Sequence, residues 1–184
     1  MKQNPFFPSE LIASTYRIDF ERLYEEGYRG IIFDIDNTLV PHGAPADEKA
    51  KALFARLKRI GYACCLVSNN KRPRVEMFNR DIHVHMVWLA HKPLSSGYRK
   101  AMEKMGTDRG NTLVVGDQIF TDLWGGSFMG LKTILVQPIN PKEEIQIVLK
   151  RFLERPILWL YRHSRNYSRE HELPAEGTAD ENRE

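Results

Sequence analysis

Short apolar runs alternate with stretches of helical periodicity along most of this chain, and that alternation is the strongest constraint on its fold. The predicted strands are Gly30 to Asp36, Tyr62 to Ser68, Val84 to Leu89, Thr112 to Val115 and Lys132 to Val136. Between them lie helical patterns over 46–60, after Pro73, over 95–105 and near 120–129. Residues 18–26 read as a short helix with Asp19 as N-cap and Gly27 as its stop. Pro141 opens a further pattern carrying Ile145, Val148, Leu149 and Phe152. Strand and helix in strict turn mean a parallel sheet with helices on both faces. Continuous apolar strands suit a sheet covered on both sides. The expectation is an α/β, doubly wound, Rossmann-like sandwich.

Such a sheet binds its ligand beyond the carboxyl ends of its strands. Four predicted strands end in polar residues. Asp34 and Asp36 end the first, with Thr38 behind them. Ser68, Asn69 and Asn70 end the second. Lys92 follows the third, and Gly116, Asp117 and Gln118 end the fourth, with Asp122 opening the next helix. One acidic residue at a strand end is explained by capping the next helix. Four polar strand ends on one edge are not.

Asp34 and Asp117 would meet and repel unless a cation lay between them. Mg²⁺ takes oxygen ligands and bridges readily to phosphate. Lys92 and the Ser68 hydroxyl could serve the remaining phosphate oxygens. The pattern reads as phosphoryl transfer. No GxGxxG or GxxxxGK[ST] run follows a strand, which argues against dinucleotide or P-loop chemistry.

The stretches DIDNTLV, SNN, HKP and GDQ with its following TD resemble, in order, the four motifs of the haloacid-dehalogenase-like (HAD) superfamily. The match covers roughly residues 30–136. More narrowly, it resembles the YqeG-type subfamily IIIA phosphatases, which are similar to phosphatidylglycerophosphate phosphatases. The resemblance implies that Asp34 is the nucleophile, forming an aspartyl-phosphate. It implies that Asp36 is the general acid and then the base, its backbone carbonyl also reaching Mg²⁺. Asp117 would complete the metal site, and Asp122 would support it or orient Lys92. Thr38, Ser68, Asn69 and Lys92 would bind phosphate, with Gly116 and Gln118 in support.

About 30 residues separate Thr38 from Ser68, and about 24 separate Ser68 from Lys92. Neither gap can hold an inserted cap domain. The loop Pro41 to Pro45, which carries His42, can form only a small flap. An open site suits a large or surface-bound phosphate ester, though a small soluble one remains an alternative. Residues 1–155 read as one domain, 156–169 as an amphipathic segment and 170–184 as a polar, disordered tail. Residues 151–169 have two readings. One is a helix packed on the body and broken at Pro156. The other is contact with an anionic membrane through Trp159, Tyr161, Arg155, Arg162 and Arg165.

The net charge of +3 is too small to argue for a nucleic-acid groove, and no nucleic acid is expected. The basic stretch SNNKRPRVEMFNR reads as a solvated helix start that could help to hold an anionic substrate. Adjacent Cys64 and Cys65 cannot form an ordinary disulfide. They read as core residues of a protein in a reducing compartment. His83 and His85 lack further ligands for zinc. The N-terminus lacks the apolar run of a signal peptide, and no stretch has the length of a membrane span. A cytoplasmic location is expected, with contact at the inner face of the membrane under the second reading. A rival class, a HAD-like interaction module without catalysis, would be favoured by loss of Asp34, Asp36 or Asp117, and all three are present.

Overall fold

The computed structural model describes residues 7–140 and 156–160. Six parallel strands form one sheet. They are β1 (Glu10–Ile12), β2 (Gly30–Phe33), β3 (Ala63–Val67), β4 (His85–Val87), β5 (Thr112–Gly116) and β6 (Lys132–Val136). Their spatial order is β1-β6-β5-β2-β3-β4. The helices are α1 (Phe20–Glu25), α2 (Glu48–Ile60), α3 (Arg72–Asn79), α4 (Ser95–Met105) and α5 (Trp124–Phe128).

The chain winds outward from β2 through β3 to β4, then returns to place β5 on the other side of β2. The order therefore reverses at the β2/β5 border, and the crevice beyond that border is where such a sheet binds ligands. No cap interrupts the described chain, and the expected doubly wound class holds.

Local sequence accounts for most helix ends. Asp19 accepts the Arg22 N–H at 2.9 Å and Asp47 accepts the Ala50 N–H at 2.8 Å, each satisfying a donor that the first turn leaves open. Gly61 ends α2 at φ 110°, a left-handed conformation costly for any residue with a Cβ. Pro73 lies in the first turn of α3, where its missing N–H costs nothing.

The two faces hold separate cores. Beneath α1, α2 and α3, Phe20, Phe33, Phe54 and Phe78 form an edge-to-face chain with centroid separations of 6.2, 5.3 and 6.5 Å. Phe33 is fully buried, and burial of such a ring is worth about 1.5–3 kcal/mol. It immediately precedes Asp34, so the backbone that presents the acid is anchored from below. On the other face, Tyr98, Ala101 and Met102 of α4 pack with Cys65, Val67 and Val114. Cys64 belongs to the first core and Cys65 to the second, as alternation along a strand requires. Burial pushes both thiols up to about 12.

Three sequence expectations need correction. The first apolar strand ends at Phe33, not Asp36, so Asp34 and Asp36 stand on the loop beyond it. The short helix near 120–129 is two pieces, a wide π-type turn over Ile119–Leu123 followed by α5. The third is β1, which sequence periodicity missed. It pairs with β6, Leu11 opposite Leu135. Three residues are too few for a periodic signal, and one of them, Glu10, is charged. Glu10 is buried nonetheless, 2.8 Å from Lys132 Nζ and 2.9 Å from Arg22 Nη2. Burial alone would raise its carboxyl, and these two cations more than reverse the effect.

Residues 156–160 are helical. Ile157 and Leu158 pack against Leu11, Ile119, Leu123 and Leu135, while Trp159 and Leu160 are exposed. The helix expected after Pro141, the remaining aromatic and basic residues of 151–169, and the tail lie outside the described residues.

Candidate active site

The site is built on the carboxyl ends of β2, β3, β4 and β5. Asp34 continues the pairing of β2 for one residue, its N–H donating to Val115 O at 3.0 Å. Asp117 directly follows β5. Asp122 comes from the π-type turn. Carboxylate oxygens of these three residues lie within 4.8 Å of one another. Asp117 and Asp122 are each only 2% exposed, so water screens their repulsion poorly.

Lys92 supplies the compensating charge. Its Nζ lies 2.5 Å from Asp34 Oδ1 and 2.6 Å from Asp122 Oδ1. Burial by itself would lower the ammonium pKa, but Asp122 and Asp34 together raise it. The Thr38 hydroxyl lies 3.1 Å from Asp117 Oδ1 and 3.3 Å from Asp34 Oδ2, bridging the two acids. One ammonium still leaves three carboxylates in negative excess. Burial, with the charges of Asp122 and Asp36, pushes Asp34 up to about 6 despite Lys92. An all-oxygen donor set with surplus negative charge fits a hard divalent cation such as Mg²⁺.

Tight backbone packing holds these acids in place. A Cβ on Gly116 would stand 2.4 Å from Asp122 Cβ, so the absence of a side chain lets the turn close over the end of β5. Asp122 Oδ2 accepts the Gln118 N–H at 3.2 Å, and the Gln118 side chain accepts the Thr121 hydroxyl at 3.1 Å. The buried Tyr98 hydroxyl donates toward the carbonyls of Thr121 and Asp122, at 2.8 and 2.9 Å. These bonds satisfy a turn whose wide winding strands ordinary helical partners.

Ser68 is buried beside the acids, and its hydroxyl oxygen accepts the Asn70 N–H at 3.1 Å. The Asn69 side chain does more than its expected backbone role requires. It accepts the Lys92 N–H at 2.6 Å and donates to the Lys92 carbonyl at 3.2 Å, clamping the loop that carries the ammonium.

Asp36 stands apart. The sequence expectation gave its backbone carbonyl to the metal and its carboxyl to proton transfer. Its carboxylate is bound by the flap, the loop after β3 and α3. Oδ1 accepts the Gly43 N–H and an Arg74 Nη2–H, both at 2.8 Å, and Oδ2 accepts from Asn70 Nδ2 at 2.7 Å. His42 of the flap has Nδ1 3.8 Å from Oδ1.

Sequence reading missed the part played by Asn70 and Arg74. Arg74 is only 15% exposed, unlike Lys71, Arg72 and Pro73 beside it, so the solvated reading of this basic stretch fails at that residue. Its position on the first turn of α3, pointing back toward the end of β2, was the available signal.

Fold and site define a hydrolase of the HAD class, and comparison with known proteins narrows the assignment. The HAD-hydrolase-like family model matches residues 89–138, which include Lys92, Asp117 and Asp122. The probable phosphatase YqeG of Bacillus subtilis (strain 168) is 34% identical over 154 residues, covering 83% of this chain and 90% of that protein. The chloroplastic/mitochondrial phosphatidylglycerophosphate phosphatase 1 of Arabidopsis thaliana is 28% identical over 172 residues, 83% of this chain and 48% of that one. The crystal structure of an uncharacterized protein from Listeria monocytogenes serotype 4b shares the fold, with a TM-score of 0.51 at 14% identity over 64% of this chain and 84% of that one. The chain belongs to the YqeG-type phosphatases of the HAD superfamily, and it is a phosphatase.

Proposed function

We propose that this phosphatase is an Mg²⁺-dependent phosphomonoesterase that works through an aspartyl-phosphate, with phosphatidylglycerophosphate as its leading substrate. The observation that carries the reading is the convergence of Asp34, Asp117 and Asp122 at the topological switch point, two of them paired with Lys92. Asp34, Asp117 and the Asp36 carbonyl would hold the ion, with Asp122 beside it. Bound there, Mg²⁺ would neutralise the surplus acid charge and draw the phosphate oxygens toward the nucleophile.

An Asp34 oxygen attacks phosphorus, and the bond to the ester oxygen breaks. Asp36 gives its proton to that oxygen, so the leaving group departs as an alcohol. Asp36 then takes a proton from water, whose oxygen attacks phosphorus. The bond to Asp34 breaks and inorganic phosphate leaves. Lys92, with the Ser68 hydroxyl and the Asn69 backbone, binds the transferring phosphoryl oxygens.

Mg²⁺ should raise the melting temperature, and more at about pH 7 than at about pH 5. The sign follows from Asp34, whose folded pKa is raised to about 6. Between the ordinary carboxyl pKa of 3.8 and about 6, folding takes up a proton at this carboxyl. Its ionisation therefore weakens the metal-free fold as pH rises across that window, and the cost is fully present above about 6. At about pH 7 the ion relieves the cost; at about pH 5 it must displace a proton. Scanning calorimetry with and without Mg²⁺ measures the difference. Equal shifts at both pH values would count against an ion at Asp34.

A membrane-borne substrate is supported by the rim of the site. Leu89 and Leu94, in the loops beside Lys92, are 48% and 62% exposed. Ile139, whose N–H donates to the Asn37 carbonyl, is 41% exposed. Exposed bulky apolar side chains on segments this near Lys92 and Asn37 would favour contact with a lipid surface. The Arabidopsis relative's name points to the same substrate. Liposome flotation should show binding that rises with anionic lipid and falls with salt. Turnover of phosphatidylglycerophosphate in vesicles should exceed that of sugar phosphates and nucleotides. A protein that ignores liposomes and prefers a soluble phosphate would overturn the lipid assignment alone. Among the described residues no helix is long and apolar enough to cross a membrane.

A further inference from the structure

Three successive carbonyls of the loop that follows β2 are held from outside it. The loop closes on itself through N–H groups, Leu39 donating to the Ile35 carbonyl at 2.9 Å and Asn37 to the Val40 carbonyl at 2.8 Å. That leaves the carbonyls of the buried residues Asn37, Thr38 and Leu39 in need of donors. Each finds one. The Ile139 N–H donates to Asn37 at 3.0 Å, the Thr15 hydroxyl to Thr38 at 2.7 Å and the Tyr16 hydroxyl to Leu39 at 2.5 Å. All three donors stand just past the ends of β1 and β6. The pairing of those strands, continued by the Gln137 N–H on the Ile12 carbonyl at 3.3 Å, delivers them together to the edge of the sheet that carries the site.

The middle residue of the three, Thr38, is the one whose hydroxyl bridges Asp34 and Asp117. Asn37 before it has φ 64°, a left-handed conformation that a residue with a Cβ keeps only where its surroundings hold it. Thr15 is fully buried, so the Thr38 carbonyl has no water to turn to if that hydroxyl is removed. Burial, with the charge of Asp47, raises the Tyr16 hydroxyl, which therefore stays protonated and a donor at neutral pH.

We infer that Thr15 and Tyr16 are positioning residues for the reaction: their hydroxyls fix the 37–39 backbone so that Thr38 stays between Asp34 and Asp117. The inference rests on Asp34 as the nucleophile and extends the site to a segment that touches no reacting group. A buried carbonyl deprived of its donor is costly, and the loop relieves that cost by turning. Turning carries the Thr38 hydroxyl with it. The two acids then lose their common partner and the alignment of Asp34 loosens, where a displacement of about 1 Å can cost about 10²-fold in rate. An ion held by Asp34 and Asp117 would be gripped less well for the same reason.

The experiment measures kcat and KM for para-nitrophenyl phosphate, and melting temperature with and without Mg²⁺, in the wild type, Thr15→Val, Thr15→Ser and Tyr16→Phe. Valine and phenylalanine keep the shape and remove the hydroxyl; serine keeps the hydroxyl. Thr15→Val is expected to lower kcat by about 10- to 100-fold with KM changed by less than about three-fold, Tyr16→Phe to act in the same direction, and Thr15→Ser to stay within about three-fold of the wild type. The rise in melting temperature that Mg²⁺ produces should shrink in Thr15→Val and Tyr16→Phe and be restored in Thr15→Ser. Leu57→Ala is the control, a cavity in the same core at the far end of α2, which should lower stability and leave kcat unchanged. Wild-type kcat and Mg²⁺ response in Thr15→Val and Tyr16→Phe, whatever their melting temperatures, would overturn the inference, because the hydroxyls would then serve the fold alone. So would a loss that Thr15→Ser does not restore, or an equal loss in Leu57→Ala. Should Thr15→Val not fold, Tyr16→Phe decides by the same criteria. Wild-type-like turnover in Asp34→Asn would instead overturn the nucleophile assignment beneath the inference.

Discussion

Asp34→Asn is expected to lower turnover of a simple phosphomonoester by at least about 10³-fold, because an amide cannot form the acyl-phosphate. Removal of an acid often unfolds a buried site, and this geometry argues otherwise. Lys92 keeps Asp122 at 2.6 Å after the Asp34 charge is gone. Thr38 keeps Asp117 at 3.1 Å. The substitution also removes one of three crowded carboxylates, so a folded variant is expected, with stability near or above that of the wild type at neutral pH. Initial rates with para-nitrophenyl phosphate and Mg²⁺, beside a thermal melt, separate chemistry from folding. Wild-type-like turnover in a clean preparation would falsify the nucleophile assignment.

The second large effect belongs to Asp36, and it should take a different form. Asp36→Asn leaves the nucleophile and Lys92 in place but removes the proton carrier, a loss worth about 10²–10⁴-fold. A poor leaving group needs that proton in the first step; para-nitrophenolate does not. With the activated ester, the variant should therefore form phosphoenzyme and hydrolyse it slowly. Rapid quench should show a burst near one equivalent followed by a slow steady state. Wild-type behaviour in both phases would sink the dual acid and base role. Asn can still accept the Gly43 N–H through its amide oxygen, but it cannot form an ion pair with Arg74, so part of the loss will be positional. Arg74→Gln, which removes the same ion pair but keeps the Asp36 carboxylate, provides that comparison.

Much of this protein is written locally. Alternation of apolar runs with helical periods gave the layer order, and the caps at Asp19, Asp47, Gly61 and Gly106 can be read from single residues. Motif spacing also placed Asp34, Ser68, Lys92 and Asp117 at strand ends, because a strand end is a local event and a parallel sheet brings all such ends to one edge. Other features depend on partners distant in sequence. β1 exists only because β6 lies beside it, with Leu11 opposite Leu135 and Glu10 neutralised by Lys132 and Arg22. The Asn69 clamp on Lys92 spans 23 residues, and the Arg74–Asp36 pair spans 38.

The sequence by itself determined which chemical groups reach the edge of the sheet; only the tertiary structure decided how they divide there. Two aspartates two residues apart look equivalent on a strand. Because β2 stops at Phe33, they are not. Asp34 turns to Lys92, while Asp36 turns to Gly43, Asn70 and Arg74. The physical reason is that direction beyond a strand end is no longer set by pleat alternation. It is set by which donors neighbouring elements bring within hydrogen-bond distance, and those donors come from the nearby flap and, far along the chain, from α3 and the loop after β3.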